Sequence, residues 1–199
     1  MDYQQTGKLL SEIEQVVTTM FAQYTPPYLV YHNISHTRAV VTHTLEIANH
    51  YPLTEDDRFV LMAAAWFHDT GQLFAAPERH EEQSVIVANN FFHNLASVPK
   101  DLLTAIDRCI LATRMPQRPY SLIEAILCDA DLYHLGTDEF MSIDNLVKEE
   151  FRLRGIPIAH WDQGTINLMQ EHHYHTTYCK EKLTSGKERN LLSLKAALG

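Results

Sequence analysis

The chain is poor in glycine and proline, with seven and eight in 199 residues, and it has only three cysteines. Few positions are therefore built for tight turns, and no stretch alternates with the period of two that marks a half-buried strand. Cys109, Cys128 and Cys179 are odd in number and far apart. That speaks against a disulfide frame or a cysteine zinc site and for reduced thiols in a cytoplasmic protein. The longest uninterrupted apolar run, Phe59 to Phe67, is far too short to span a bilayer. Met1 to Leu10 is polar, so no leader peptide is expected there. Basic residues are in deficit: 16 Lys and Arg face 25 Asp and Glu, for a net charge of −9. A dedicated nucleic-acid binder, which draws its affinity from phosphate neutralisation, is disfavoured. A small phosphorylated substrate is not, because local charge in a pocket outweighs the total.

What remains is helical periodicity. Leu9, Leu10, Ile13, Val16, Val17, Met20 and Phe21 are spaced for a helix from about Thr6 to Tyr24, stopped by Thr25-Pro26-Pro27. A second helix starts near Ser35 or His36 and runs to about His50. Thr54 reads as an N-cap, with Glu55, Asp56 and Asp57 favouring the positive helix start. The helix behind it is apolar nearly all round and is expected at the centre of the core, with Gly71 as its C-terminal stop. Further helices are expected from Glu78 to Leu95, from a Ser97 cap to Arg114, from a Ser121–Glu124 capping box to Asp131, and from Asp138 to Arg154. Two more, Trp161 to Leu183 and Lys187 to Leu198, close the chain, with Lys180 to Arg189 as a solvated loop. The pattern predicts a single all-α domain of roughly eight or nine helices over residues 1–199.

The chemistry sits where apolar helices end. His32 and His36 straddle a loop-to-helix junction, whose free N–H groups suit an anion. His68-Asp69 closes the buried helix, and Asp129 and Asp131 close another. Acids in such places are costly unless paired, hydrogen-bonded or bound to metal. His36, His68, Asp69 and Asp131 form a two-histidine, two-carboxylate set suited to a divalent ion: Mn, Fe, Mg, Co, Ni or Zn. Asp69 is placed to bridge a second ion. Asp129 reads as a satisfied capping acid. His172 and His175 would share a helix face, which reads as solvated. Arg114 either clamps a phosphate or pairs with a surface acid, the surface reading being preferred.

The order His, His-Asp, Asp on helices resembles the HD-domain superfamily of metal-dependent phosphohydrolases. The stretch Tyr31 to Val40 looks like the entry motif of the cyclic-nucleotide phosphodiesterase branch, Trp66 to Leu73 like the His-Asp motif, and Ile126 to Gly136 like the last motif. The resemblance covers residues 28–136, with 137–199 as a helical C-terminal extension. It implies His36, His68, Asp69 and Asp131 as metal ligands and His32 as the proton donor. His80-Glu81-x-x-Ser84 resembles an element of bacterial HD proteins and HD-type dNTP triphosphohydrolases, which makes His80 a catalytic candidate beside Asp69. The branch that cuts cyclic dinucleotides carries further histidines on later helices, and the Ile106 to Arg114 helix has none.

The expected function is hydrolysis of a nucleotide or other small phosphate ester by metal-bound hydroxide. The alternatives are a non-catalytic metal or nucleotide sensor or scaffold, and a diiron HD-type oxygenase. No membrane and no dedicated nucleic-acid partner is expected; a homodimer is compatible with the C-terminal helices.

Overall fold

The computed structural model describes residues 3–93, 95 and 98–198. Among them are nine α-helices, three short 3-10 turns and no strand. The helices are α1 (Tyr3–Tyr24), α2 (Ile34–Ala48), α3 (Glu55–Phe67), α4 (His80–Phe92), α5 (Lys100–Ala112), α6 (Leu122–Asp131), α7 (Phe140–Leu153), α8 (Trp161–Glu171) and α9 (Thr177–Leu198). The expected Ser97 cap lies outside the described residues.

Helix α3 is the axis of the bundle, as its apolar circumference predicts. Phe59, Leu61, Ala63, Ala64, Ala65 and Phe67 are sealed from solvent, and α1, α2, α5 and α6 pack around them. Each of its large side chains contributes about 1.5–3 kcal/mol by leaving water. Thr54 opens α3 with a reciprocal capping box: its hydroxyl accepts from Asp57 N, and its own N–H donates to Asp57 Oδ2. At α6 the box is only half formed. Ser121 Oγ accepts from Glu124 N, while the Glu124 carboxylate turns to Tyr120 N and Arg108.

Gly71 does not end α3 by a left-handed backbone; among the described residues only Gly155, which ends α7, has that conformation. Gly71 sits in a 3-10 turn, Thr70–Leu73, packed against the start of α4. A Cβ there would lie 1.9 Å from the His80 carbonyl oxygen, and the Gly71 N–H donates to Ser84 Oγ at 2.8 Å. The glycine and the serine thus bind the turn after His68-Asp69 to the helix that opens with His80.

The C-terminal third departs from the expected pattern. The chain breaks at His172–Thr176, and Lys180 to Arg189 is helical, inside α9. The cause is tertiary. Buried Asp129 accepts from the backbone N–H groups of His175 and Thr176 and from the Thr176 hydroxyl. It thereby fixes the start of α9 from a distant helix. His172 is accordingly a buried residue in this break, held by Lys187, rather than part of a solvated helix face.

A second anchor of α9 is Glu46 on α2. One of its oxygens accepts from Tyr133, Tyr178 and Lys182 at 2.6, 2.6 and 2.7 Å. Partial burial pushes the Glu46 pKa up, but these three donors outweigh it and hold the carboxyl down to about 2. A carboxyl depressed in the folded state stabilises above its ordinary range, and that stabilisation is lost as pH falls toward 2. Glu46→Gln is expected to speed amide hydrogen exchange at the start of α9 at pH 7, and by less at pH 3. Equal exchange in variant and parent at pH 7 would contradict this anchoring.

Candidate metal centre

Two helix ends, those of α3 and α6, and two helix starts, those of α2 and α4, converge. Asn33 caps α2 by accepting from Ser35 N, and its amide ties back to Val30 O, which fixes the turn carrying Tyr31 and His32. His36 follows in the first turn of α2. His68 is the residue at which α3 stops, Asp69 follows it, and Asp131 is the last residue of α6.

The side chains meet around Asp69. His36 Nε2 lies 3.3 Å from Asp69 Oδ2 and 3.4 Å from Asp131 Oδ1. His68 Nε2 lies 3.4 and 3.7 Å from the same two oxygens. His80 Nε2 approaches the other side of the carboxylate, 3.3 Å from Asp69 Oδ1. His36, His68 and Asp69 are buried and close enough together to hold a metal ion. Asp131 reaches both imidazoles from a more open position, its side chain 18% exposed.

The chemistry of these atoms suits a cation. His68 Nδ1 donates to Ala65 O at 2.8 Å, and His80 Nδ1 donates to Pro77 O at 2.6 Å. A carbonyl only accepts, so each ring has committed an N–H there, and in the neutral imidazole Nε2 carries a lone pair. Those lone pairs face carboxylate oxygens, acceptors against acceptors. His36 Nε2, His68 Nε2 and Asp69 Oδ2 are all buried without a hydrogen-bond partner. Only a positive charge among them resolves the conflict: protons on the rings, or a metal ion. Histidine ligands that donate their other N–H to a backbone carbonyl are the usual arrangement around metals.

The electrostatics agree. Burial works against a charged His36, yet the adjacent carboxylates of Asp131 and Asp69 prevail and raise its pKa to about 9. His80 is likewise raised to about 9, against burial, by Asp69 and the Pro77 carbonyl. Burial opposes ionisation of Asp69, but the surrounding imidazoles hold it well below the usual carboxylate range. The pocket is made for one strongly held anion and the cations it gathers.

His32 stands beside this cluster, its ring 5.7 Å from that of His36. Its partner is Glu150 on α7: His32 Nδ1 lies 2.6 Å from Glu150 Oε1, and the N–H groups of Tyr31 and His32 both donate to Oε2 at 2.9 Å. Arg154 bridges Glu150 Oε1 and Gln72 Oε1, both at 2.8 Å. Burial raises the Glu150 pKa, but His32 and the backbone donors overcome it and leave it at about 2. An ionised carboxylate accepts, so His32 Nδ1 carries the hydrogen and Nε2 is left for other work.

Sequence reading had no signal for Glu150, Arg154 or His134. The first two lie more than a hundred residues from His32 in the chain. His134 sits three residues beyond Asp131 and lines the same cavity, its pKa lowered to about 4 by burial. Arg114, open to solvent on one side, pairs with Glu82 at 3.1 Å and lies 3.6 Å from Glu81. Asp129 is fully engaged with the start of α9, away from the cluster.

Beyond the cluster opens a cavity of about 870 Å³. Tyr31, His32, Asp69, His80 and Asp131 line it, and so do residues of α7 and α8. A family model described as HD domain matches residues 33–136, just over half of the chain. No curated protein and no solved structure matches it.

Proposed function

The chain belongs to the HD-domain family, a superfamily of metal-dependent phosphohydrolases, and from that premise we propose that it hydrolyses a small phosphate ester with a divalent ion held by His36, His68, Asp69 and Asp131. The observation that carries this reading is the buried meeting of unpartnered polar atoms: His36 Nε2, His68 Nε2 and Asp69 Oδ2. Two imidazoles and two carboxylates suit Mn²⁺, Fe²⁺, Co²⁺, Ni²⁺, Zn²⁺ or Mg²⁺. A bound ion of this kind supplies Lewis acidity toward a phosphoryl oxygen and lowers the pKa of water to near neutrality.

The chain's own groups supply the rest. His32 Nε2 gives a proton to the departing ester oxygen, and an imidazole suits that task near neutral pH. Glu150 fixes the tautomer and orientation of His32 through Nδ1 and stabilises the ring when it is charged. Tyr31, whose phenol is held neutral by burial and by Asp131, Asp69 and Glu150, offers an O–H donor at the cavity wall. His80 steadies Asp69 from its outer oxygen. The buried surroundings keep bulk water from screening these interactions.

The test is phosphate release from nucleotides, cyclic nucleotides and simple esters with Mn²⁺, Mg²⁺, Co²⁺ or Ni²⁺. Metal-dependent release from at least one substrate is expected. Silence across the panel, with metal bound, would favour a non-catalytic sensor instead. Glu150→Gln is expected to lower release by roughly 10–100-fold and to leave metal content in place. A variant within twofold of the parent would remove Glu150 from the account.

A further inference from the structure

We propose that the large cavity selects a phosphomonoester whose non-phosphate part is a large apolar or aromatic group, and that α7 and α8 read that group. The proposal rests on the phosphohydrolase reading above and narrows its substrate.

The first observation is the composition of the α7–α8 part of the cavity lining. Phe140, Val147 and Phe151 from α7, Ile156 from the connection, and Trp161 and Leu168 from α8 all line the cavity. The wall is also set in place. The Trp161 indole N–H donates to the Asp144 carboxylate at 3.0–3.1 Å, and Thr165 Oγ1 donates to the same group at 2.9 Å. Asp144 is thereby buried and occupied. The Trp161 ring stands edge-on to Phe151, with centroids 5.1 Å apart. A preset apolar wall binds an apolar group without first having to order itself.

The second observation is charge. Among the described residues the cavity lining holds six acids, Asp69, Glu78, Glu81, Asp131, Asp144 and Glu150, against two arginines. Both arginines are already paired, Arg114 with Glu82 and Arg154 with Glu150. One divalent ion answers one phosphoryl group. A triphosphate or a dinucleotide brings further negative charge with no free arginine to meet it. The third observation is size. At about 870 Å³ the space far exceeds a phosphate and its ligands, and residues of α7 and α8 make up much of its lining.

The test uses non-hydrolysable phosphonates and calorimetry on the Mn²⁺-loaded full chain. Methylphosphonate, 1-naphthylmethylphosphonate and a methylene-bridged nucleoside triphosphate analogue are compared. The naphthyl probe is expected to bind on the order of 100-fold tighter than methylphosphonate, and the triphosphate analogue no tighter than methylphosphonate. Val147→Glu and Leu168→Gln, each checked for retained helical circular dichroism, are expected to cut the naphthyl preference at least tenfold. Equal binding of the methyl and naphthyl probes, or tightest binding of the triphosphate analogue, would overturn the proposal. Ester hydrolysis without apolar preference in phosphonate binding overturns the substrate class alone. Absence of both hydrolysis and metal-dependent phosphonate binding overturns the phosphohydrolase reading as well.

Discussion

Asp69→Ala is expected to abolish metal-dependent phosphate release, by on the order of 10³-fold or more, about 4 kcal/mol of transition-state stabilisation. Among the described residues its carboxylate alone touches three imidazoles: His36 and His68 through Oδ2 and His80 through Oδ1. Removing it takes away a proposed ligand and the negative charge that gathers the others. His36 then keeps only Asp131 of the two carboxylates that raise its pKa. The core around α3 does not depend on Asp69, because its apolar residues pack among themselves. The variant is therefore expected to keep its helical circular dichroism while losing activity. Asp69→Asn keeps the shape without the charge and is expected to fail almost as badly. A purified Asp69→Ala protein that retains a tenth of the parent's release would contradict the proposed role.

The second large effect falls on stability. Gly71→Ala places a methyl group 1.9 Å from the His80 carbonyl oxygen and 2.7 Å from Ser84 N. Neither neighbour is the end of a flexible side chain, so the turn must separate from α4. Overpacking costs about 1–3 kcal/mol, and the buried hydrogen bond from Gly71 to Ser84 adds about 1 kcal/mol when broken. A total near 3 kcal/mol lowers Tm by roughly 6–12 °C in a chain of this size. Metal affinity should fall in parallel, because the same contact sets Asp69 against His80. Ser84→Ala removes the hydrogen bond without the clash and should cost less. A Gly71→Ala protein melting within 2 °C of the parent would show that the close approach is not maintained in solution.

These two residues show how unevenly the sequence discloses the site. His68-Asp69 is conspicuous because a histidine and an acid end a helix that is otherwise apolar, and His36 and Asp131 stand at similar junctions. Local patterning also locates α1 to α7 within a few residues. Gly71 reads as a helix stop, because nothing local indicates that His80 passes within contact of it. The break between α8 and α9 is hidden for the same reason. Its hydrogen bonds come from Asp129, on another helix, so helical periodicity runs through it undisturbed. Glu150 on the amphipathic helix α7 and Arg154 just past its end look like ordinary surface charges. Their burial against His32 and Gln72 is created only when that helix folds over the mouth of the site. The family resemblance ends near Gly136, while half of the cavity wall comes after it.

Direct titration of metal-stripped protein with Mn²⁺, followed by the electron paramagnetic resonance signal of the free ion, tests the central claim most plainly. Uptake of about one tightly held ion per chain is expected, lost in His68→Ala while helical circular dichroism is preserved. No uptake by the folded parent, or equally tight uptake by His68→Ala, would contradict it.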